Sequence, residues 1–222
     1  MSQYPIGQTF HECNINNQTH GQATIETSLH AFQLTHPSCC KKLDFSFFFR
    51  RDGEISTSVG YATVIVLDKT ETDSEGKSVW IEDIVKARVE TGLEHSSLAR
   101  AMKTLFDRNG VLASGATDFA DELQTDTILV VDELSLDSPW RYVGLGQELL
   151  GGMNGALRQS GFSGTLLLHP AVLAEDEDSE DEETFGRICQ RNLLFYQNKG
   201  DYKVCWGDAN NPVKYRLMCR KL

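Results

Sequence analysis

Apolar and polar positions alternate from Asp44, recur at helical spacing through the middle of the chain, and alternate again at its end. Residues 1–43 are polar and weakly patterned, and 24–34 has the spacing of a short helix. From Asp44 the period shortens to two. Phe45, Phe47 and Phe49 fall on one side of a pleat, which predicts a strand. Asp52-Gly53 is a turn pair. Residues 58–68, with Val59, Tyr61, Thr63, Val64, Ile65, Val66 and Leu67, are rich in β-branched side chains and predict a second strand. The two read as a β-hairpin.

A polar loop over 69–77 leads into helical spacing over 80–124. Ile81, Ile84, Val85 and Val89 make one apolar stripe, and Leu98, Ala101, Met102, Leu105 and Phe106 make a better one. Ser96 or Ser97 supplies the cap of that second helix and Gly110 its end. Residues 127–136 are apolar at successive positions, as in a strand buried on both faces. A turn at Asp137-Ser138-Pro139 precedes a helix over 147–160, with Leu149, Leu150, Met153 and Leu157 as its buried stripe and Gly161 as its C-cap. Residues 165–168 predict a short buried strand, 184–199 a helix ending at Gly200, and 202–206 with 214–219 a closing pair of strands. There is no internal repeat.

A length of 222 residues suits one α/β domain with insertions. No stretch approaches the roughly 18 apolar residues that cross a bilayer, and the first ten residues lack a basic flank followed by an apolar run. The expectation is a cytoplasmic protein with no membrane partner. Six cysteines form no C-x-x-C pair, so free structural thiols and no metal site are expected. The net charge is −11, and the run 175–183 holds eight carboxylates. The acidity is therefore local, and the run reads as a solvated loop. No basic patch exists, which argues against a nucleic-acid partner.

The candidate chemistry lies in residues 129–150. A buried strand and a short turn lead to Arg141-Tyr142-Val143-Gly144-Leu145-Gly146, and Gln147 opens a helix. The first turn of a helix leaves amides without partners, and its dipole favours negative charge. Glycines let the backbone approach a phosphate, and an arginine beside them adds a charge-assisted hydrogen bond. The segment predicts a pyrophosphate cradle over 141–147. It is not a Walker A loop, since no Lys-Ser or Lys-Thr pair follows the glycines. It is not a dinucleotide loop either: Leu149 stands where the third glycine belongs, and the next strand runs into His169-Pro170 rather than an acidic residue.

R-x-x-G-x-G after an apolar strand resembles motif A of the GNAT acetyltransferase superfamily. Phe195-Tyr196-Gln197-Asn198-Lys199-Gly200-Asp201-Tyr202 resembles that family's F-Y-x-x-x-G-F element, with Asp201 in the aromatic's place and Tyr202 one position later. The resemblance covers 127–206 and, loosely, the Phe-rich hairpin. It implies a single domain: a mixed, mostly antiparallel twisted sheet flanked by helices and split near residue 134, with 69–126 as a helical insertion. It also implies acetyl-CoA or another acyl-CoA as co-substrate, a small-molecule or peptide amine as acceptor, and direct attack of the amine on the thioester. By the same resemblance, 141–147 hold the pyrophosphate, and Leu134, Ser135 and Leu136 offer backbone groups to the pantetheine arm. Tyr196 protonates the leaving thiolate, and a carboxylate on the central strand, Asp132 or Glu133, takes the amine's proton. In a regular strand Asp132 shares a face with Val130, Leu134 and Leu136, and a bulge would reassign the faces. His169 is a third candidate base by its ordinary pKa. A CoA-binding sensor that has lost transfer is the reading from another class. Acceptor identity and oligomeric state are not written in the pattern.

Overall fold

The computed structural model describes residues 4–17, 21–34, 38–72, 80–84, 97–141, 143–170, 182–207 and 216–222. Eight strands form one sheet: β1 (Tyr4–Asn17), β2 (Gly21–Gln33), β3 (Cys40–Arg50), β4 (Thr57–Asp68), β5 (Thr127–Leu136), β6 (Thr165–Leu168), β7 (Lys203–Trp206) and β8 (Leu217–Lys221). Their spatial order is β1-β2-β3-β4-β5-β6-β8-β7. Every pairing is antiparallel except β5 with β6. This is the mixed, mostly antiparallel α/β architecture that the resemblance implied.

The sheet is covered on both faces. On the first lie α2 (Gly146–Gln159) and α3 (Glu182–Gly200). There Leu43, Phe45, Phe47, Phe49, Val64, Leu129 and Val131 pack with Leu149, Leu150, Met153 and Leu157. On the second lies α1 (Ser97–Leu105), whose Leu98, Ala101, Met102 and Leu105 pack with Ile65, Leu67, Ile128 and Val130. The predicted stripes are the buried ones. In β5, Ile128 and Val130 serve one core and Leu129 and Val131 the other, so no polar alternation marks that strand. Ile81 and Ile84 are buried in the second core. Ser96, Val85 and Val89 lie outside the described residues, as does the acidic run up to residue 181.

The first 43 residues depart from expectation. Residues 24–34 are not a helix. Residues 24–33 belong to β2, which pairs with β1 on one side and β3 on the other. Ala23, Ile25, Thr27 and Leu29 are all buried, at period two. One small and one polar residue in that set weaken the contrast that marks a strand. Gly110 does not end a helix either. Helix α1 stops at Leu105, and Gly110, with φ +75°, sits in a turn whose amide donates to the Asp107 carbonyl at 3.0 Å. Gly161 does close α2: its amide donates to the Arg158 carbonyl and that of Phe162 to Leu157, both at 3.0 Å, the paired bonds of a Schellman end. The closing strands begin later than the pattern implies, at Lys203 and Leu217, and residues 214 and 215 lie outside the described set.

The glycines inside α2 have different reasons. A Cβ on Gly152 would stand 2.4 Å from Thr27 Oγ1, so glycine there lets α2 approach β2. A Cβ on Gly151 meets nothing within 4 Å. Gly151→Ala is therefore expected to raise stability by about 0.5–1 kcal/mol. Gly152→Ala should lower it. Urea denaturation of both variants checks the pair, and equal shifts would mean the packing account is wrong.

Candidate functional site

The site forms where the sheet parts. Strand β6 pairs with β5 only as far as Val131↔Leu168, and β5 runs on to Leu136. Pro170, two residues past the end of β6, has no amide to extend the ladder. Among the described residues, the far half of β5 pairs only with β4, through Thr63↔Glu133, Ala62↔Leu134, Tyr61↔Ser135 and Gly60↔Leu136. Its other edge opens on a cleft of about 430 Å³ bounded by the N-terminus of α2 and one face of α3.

A β-bulge decides which way the strand's side chains point. The β4–β5 register slips between Thr63 and Val64, which stand opposite Glu133 and Val131, so Asp132 is the bulged residue. Beyond the bulge the faces are exchanged. Leu134 and Leu136 pack in the first core with Val131, so Asp132 does not share their face as a regular strand would require. Asp132 and Glu133 are both exposed, and neither lines the cleft. The phenol of Tyr61 donates to Glu133 Oε1.

After β5 the chain turns through Ser138–Trp140, with the Trp140 ring 5.0 Å from Phe49. Of the seven loop residues singled out, Arg141, Gly144, Gly146 and Gln147 line the cleft. Leu145 is fully buried in the first core and Val143 packs against it. Tyr142 lies outside the described residues. Gly144 has φ +88°, a conformation glycine adopts without strain, and a Cβ there would meet nothing within 4 Å. Helix α2 opens without a side-chain cap, and its first helical bond runs from Leu149 N to Leu145 O at 3.0 Å. The amides of the first turn therefore have no helical acceptor. Arg141 Nε donates to the Leu136 carbonyl at 2.8 Å, tying the loop to the end of β5.

The opposite wall is α3. Arg191, Asn192, Phe195, Tyr196 and Lys199 line the cleft, and their spacing places them on one helical face. Sequence reasoning singled out only Tyr196. Its neighbours one turn away, Asn192 before and Lys199 after, carried the signal that would have found the rest. Gly146 lets α2 approach this wall, since a Cβ on it would stand 3.0 Å from the Phe195 ring. Arg141, Arg191 and Lys199 bring three cations to one cleft in a chain of net charge −11.

Tyr196 is half-buried, with its ring edge-on to Phe195 at 5.2 Å and to Tyr202 at 5.8 Å. Burial pushes its phenol up to about 12, so it is protonated at neutral pH. Asp201 takes φ +57° just after α3, turning Tyr202 into the core. His169 does not line the cleft. Its Nδ1–H donates to the Arg216 carbonyl at 2.8 Å. Burial, with Arg100 and Arg216 nearby, lowers its pKa.

Among the described residues, no group of three or more His, Cys, Asp or Glu is placed to hold a metal ion. Nor is any helix among them long and apolar enough to cross a membrane. No protein-family model matches the chain, and no curated protein matches it. Solved structures similar to it include three N-acetyltransferases. A polyamine N-acetyltransferase of Drosophila melanogaster is 15% identical over 80% of this chain and 74% of its own, at TM-score 0.40. Arylalkylamine N-acetyltransferase 2 of Aedes aegypti is 14% identical over 79% and 72%, at TM-score 0.41. A putative arylalkylamine N-acetyltransferase 7 of Aedes aegypti is 10% identical over 96% and 95%, at TM-score 0.45. At such scores these likenesses carry no weight for the site, whose reading rests on the chain's own geometry. What the chain is similar to, at this distance, is a group of N-acetyltransferases.

Proposed function

We propose that this chain is an acyl-CoA-dependent N-acyltransferase of the GNAT kind, moving acetyl from acetyl-CoA to a primary amine by direct attack. One observation carries the reading: the edge of β5 beyond Val131, where β6 no longer pairs with it, faces a cleft with an uncapped helix N-terminus at its mouth. The α2 amides and Arg141 would hold the pyrophosphate. The backbone of Leu134, Ser135 and Leu136 would align the pantetheine arm along β5. Arg191 and Lys199 add positive charge for an anionic donor.

The chemistry then needs orientation and two proton transfers. The amine, freed of a proton by Asp132 or Glu133, attacks the thioester carbon. The C–S bond breaks, and the thiolate takes a proton from Tyr196. The burial that raises the phenol also disfavours a free thiolate beside it, so the transferred proton relieves a buried charge.

Acetyl-CoA turnover against a panel of amines, read as thiol release, tests the proposal, with CoA affinity from titration calorimetry beside it. Transfer to at least one amine is expected. Binding without transfer to any would favour a CoA-binding sensor, and no binding would remove both readings. In Tyr196→Phe, kcat should fall by about 100-fold with little change in CoA affinity. Equal turnover in wild type and variant would take Tyr196 out of the mechanism.

A further inference from the structure

Two adjacent thiols, Cys39 and Cys40, lie at the end of the sheet away from the cleft described above. Consecutive side chains of a strand point to opposite faces. Here Cys39 stands in the turn before β3 and Cys40 is the strand's first residue, and both pack in the second core with Leu34 and Leu67. Both thiols are free, and their sulfurs are 3.9 Å apart. The backbone that carries them is pinned. The Asp68 amide donates to the Cys39 carbonyl at 2.9 Å, and the Leu34 amide donates to the Cys40 carbonyl at 3.2 Å. Gln33 Nε2 gives that second carbonyl another bond at 3.2 Å.

Cys40 is sealed in that core, whereas Cys39 lines a second cleft of about 130 Å³ with Lys41, Asp68, Thr127, Phe162 and Ser163. Asp68 and Thr127 are the paired ends of β4 and β5, while the larger cleft takes the opposite end of β5 at Leu134–Leu136. A small solute therefore has a path to one sulfur of the pair that does not pass through the larger cleft. Cys205 and Cys219, buried on the neighbouring strands β7 and β8, line neither cleft.

The geometry decides what joins the two sulfurs. A direct disulfide suits it poorly, because consecutive Cα atoms are about 3.8 Å apart across a trans peptide, short of the roughly 4.4 Å at which disulfides begin. A metal cation suits it poorly as well. Zinc takes four ligands, and among the described residues no group of three or more His, Cys, Asp or Glu is placed to hold one. Two thiolates would also bury charge. The contact with Cys39 and then burial hold the Cys40 thiol well above its ordinary pKa, and the carboxylates of Glu71 and Asp83 add to the shift. What fits is one thiophilic atom that bonds both sulfurs and leaves the pair neutral. Sulfur bonds of about 2.3 Å, as zinc makes, set at about 90–110°, hold two sulfurs about 3.3–3.8 Å apart, close to the 3.9 Å between these two. From this geometry we propose that Cys39 and Cys40 form a dithiol site for a trivalent arsenical. Two S–H bonds break and two As–S bonds form. The oxygen of the arsenical leaves with both protons as water, and neither arsenic nor sulfur changes oxidation state. The inference does not rest on the acyltransferase reading.

Native mass spectrometry of the reduced full chain titrated with phenylarsine oxide tests the site. One equivalent is expected to bind with loss of one water. A small dithiol should release it, and a monothiol at the same concentration should not, because only the dithiol matches the two-point hold. Cys39→Ala and Cys40→Ala should each weaken binding by about 100-fold or more, since either leaves a single As–S bond. Cys205→Ala should bind as the wild type does. Thermal melts establish that each variant is folded, and Cys39→Ala, at the cleft wall, carries the test if the core variant Cys40→Ala does not fold. Failure of the wild type to bind overturns the proposal. So does undiminished binding in Cys39→Ala, or a loss in folded Cys205→Ala that matches the loss in Cys39→Ala.

Discussion

Gly144→Asp is expected to weaken CoA binding by about 100-fold while leaving the protein folded. Two effects act in one direction. Gly144 holds φ +88°, where an L side chain costs about 1–2 kcal/mol. The variant relieves that strain by moving the loop that positions the α2 amides. The new carboxylate also projects into the space beside Arg141, Gly146 and Gln147, all of which line the cleft, and competes there with a phosphate for the same donors. Since about 1.4 kcal/mol is a factor of ten, the sum is near 100-fold. Nothing lies within 4 Å of a Cβ at this position, so the fold itself has no clash to absorb. Gly144→Ala separates the terms, keeping the strain without the charge, and should lose only about tenfold. Titration calorimetry with CoA measures all three proteins. Unchanged affinity in Gly144→Asp would mean that no phosphate sits at this loop.

Gly60→Ala should be the most damaging single methyl in the molecule's site. A Cβ there would stand 2.2 Å from the Ser135 carbonyl oxygen and 3.1 Å from the Leu136 Cα, both backbone atoms. Backbone cannot rotate away as a side chain can, so β4 and β5 must separate where, among the described residues, β5 has no other strand beside it. Overpacking of this kind costs about 1–3 kcal/mol or more. The same displacement shifts Leu134, Ser135 and Leu136, which line the cleft, so CoA affinity should fall with stability. Urea denaturation and calorimetry on one preparation check both. A stable variant with normal CoA binding would show that the β4–β5 contact is looser than described. The comparison with Gly151→Ala is instructive, because the same methyl in open space should stabilise.

Several features were legible in the sequence because their cause is local. The period-two phenylalanines of β3, the helical stripes of α1 and α2, and the doubly apolar run of β5 each reflect burial on a fixed face. The α2 N-terminus could be found from Arg141, Gly144 and Gly146, because amide exposure in a first helical turn needs no distant partner. The β1–β2 hairpin was not legible. Its buried positions in β2 include Thr27 and Ala23, and a strand there is confirmed only by the neighbours it pairs with.

The site divides in the same way. The sequence alone determined that a glycine-containing loop opening a helix follows a buried strand and that an aromatic pair lies near the end of the last long helix. Only the tertiary structure decided that β6 stops at Leu168 and opens the edge of β5, and that a bulge at Asp132 turns Glu133 toward Tyr61. It also brought Arg191 and Lys199 to face Arg141 across one cleft. The physical reason is range. Caps, stripes and turns are set by residues within a few positions of each other, whereas register, bulges and clefts depend on which strands and helices meet, and those partners lie far apart in sequence, Tyr61 and Glu133 by 72 residues.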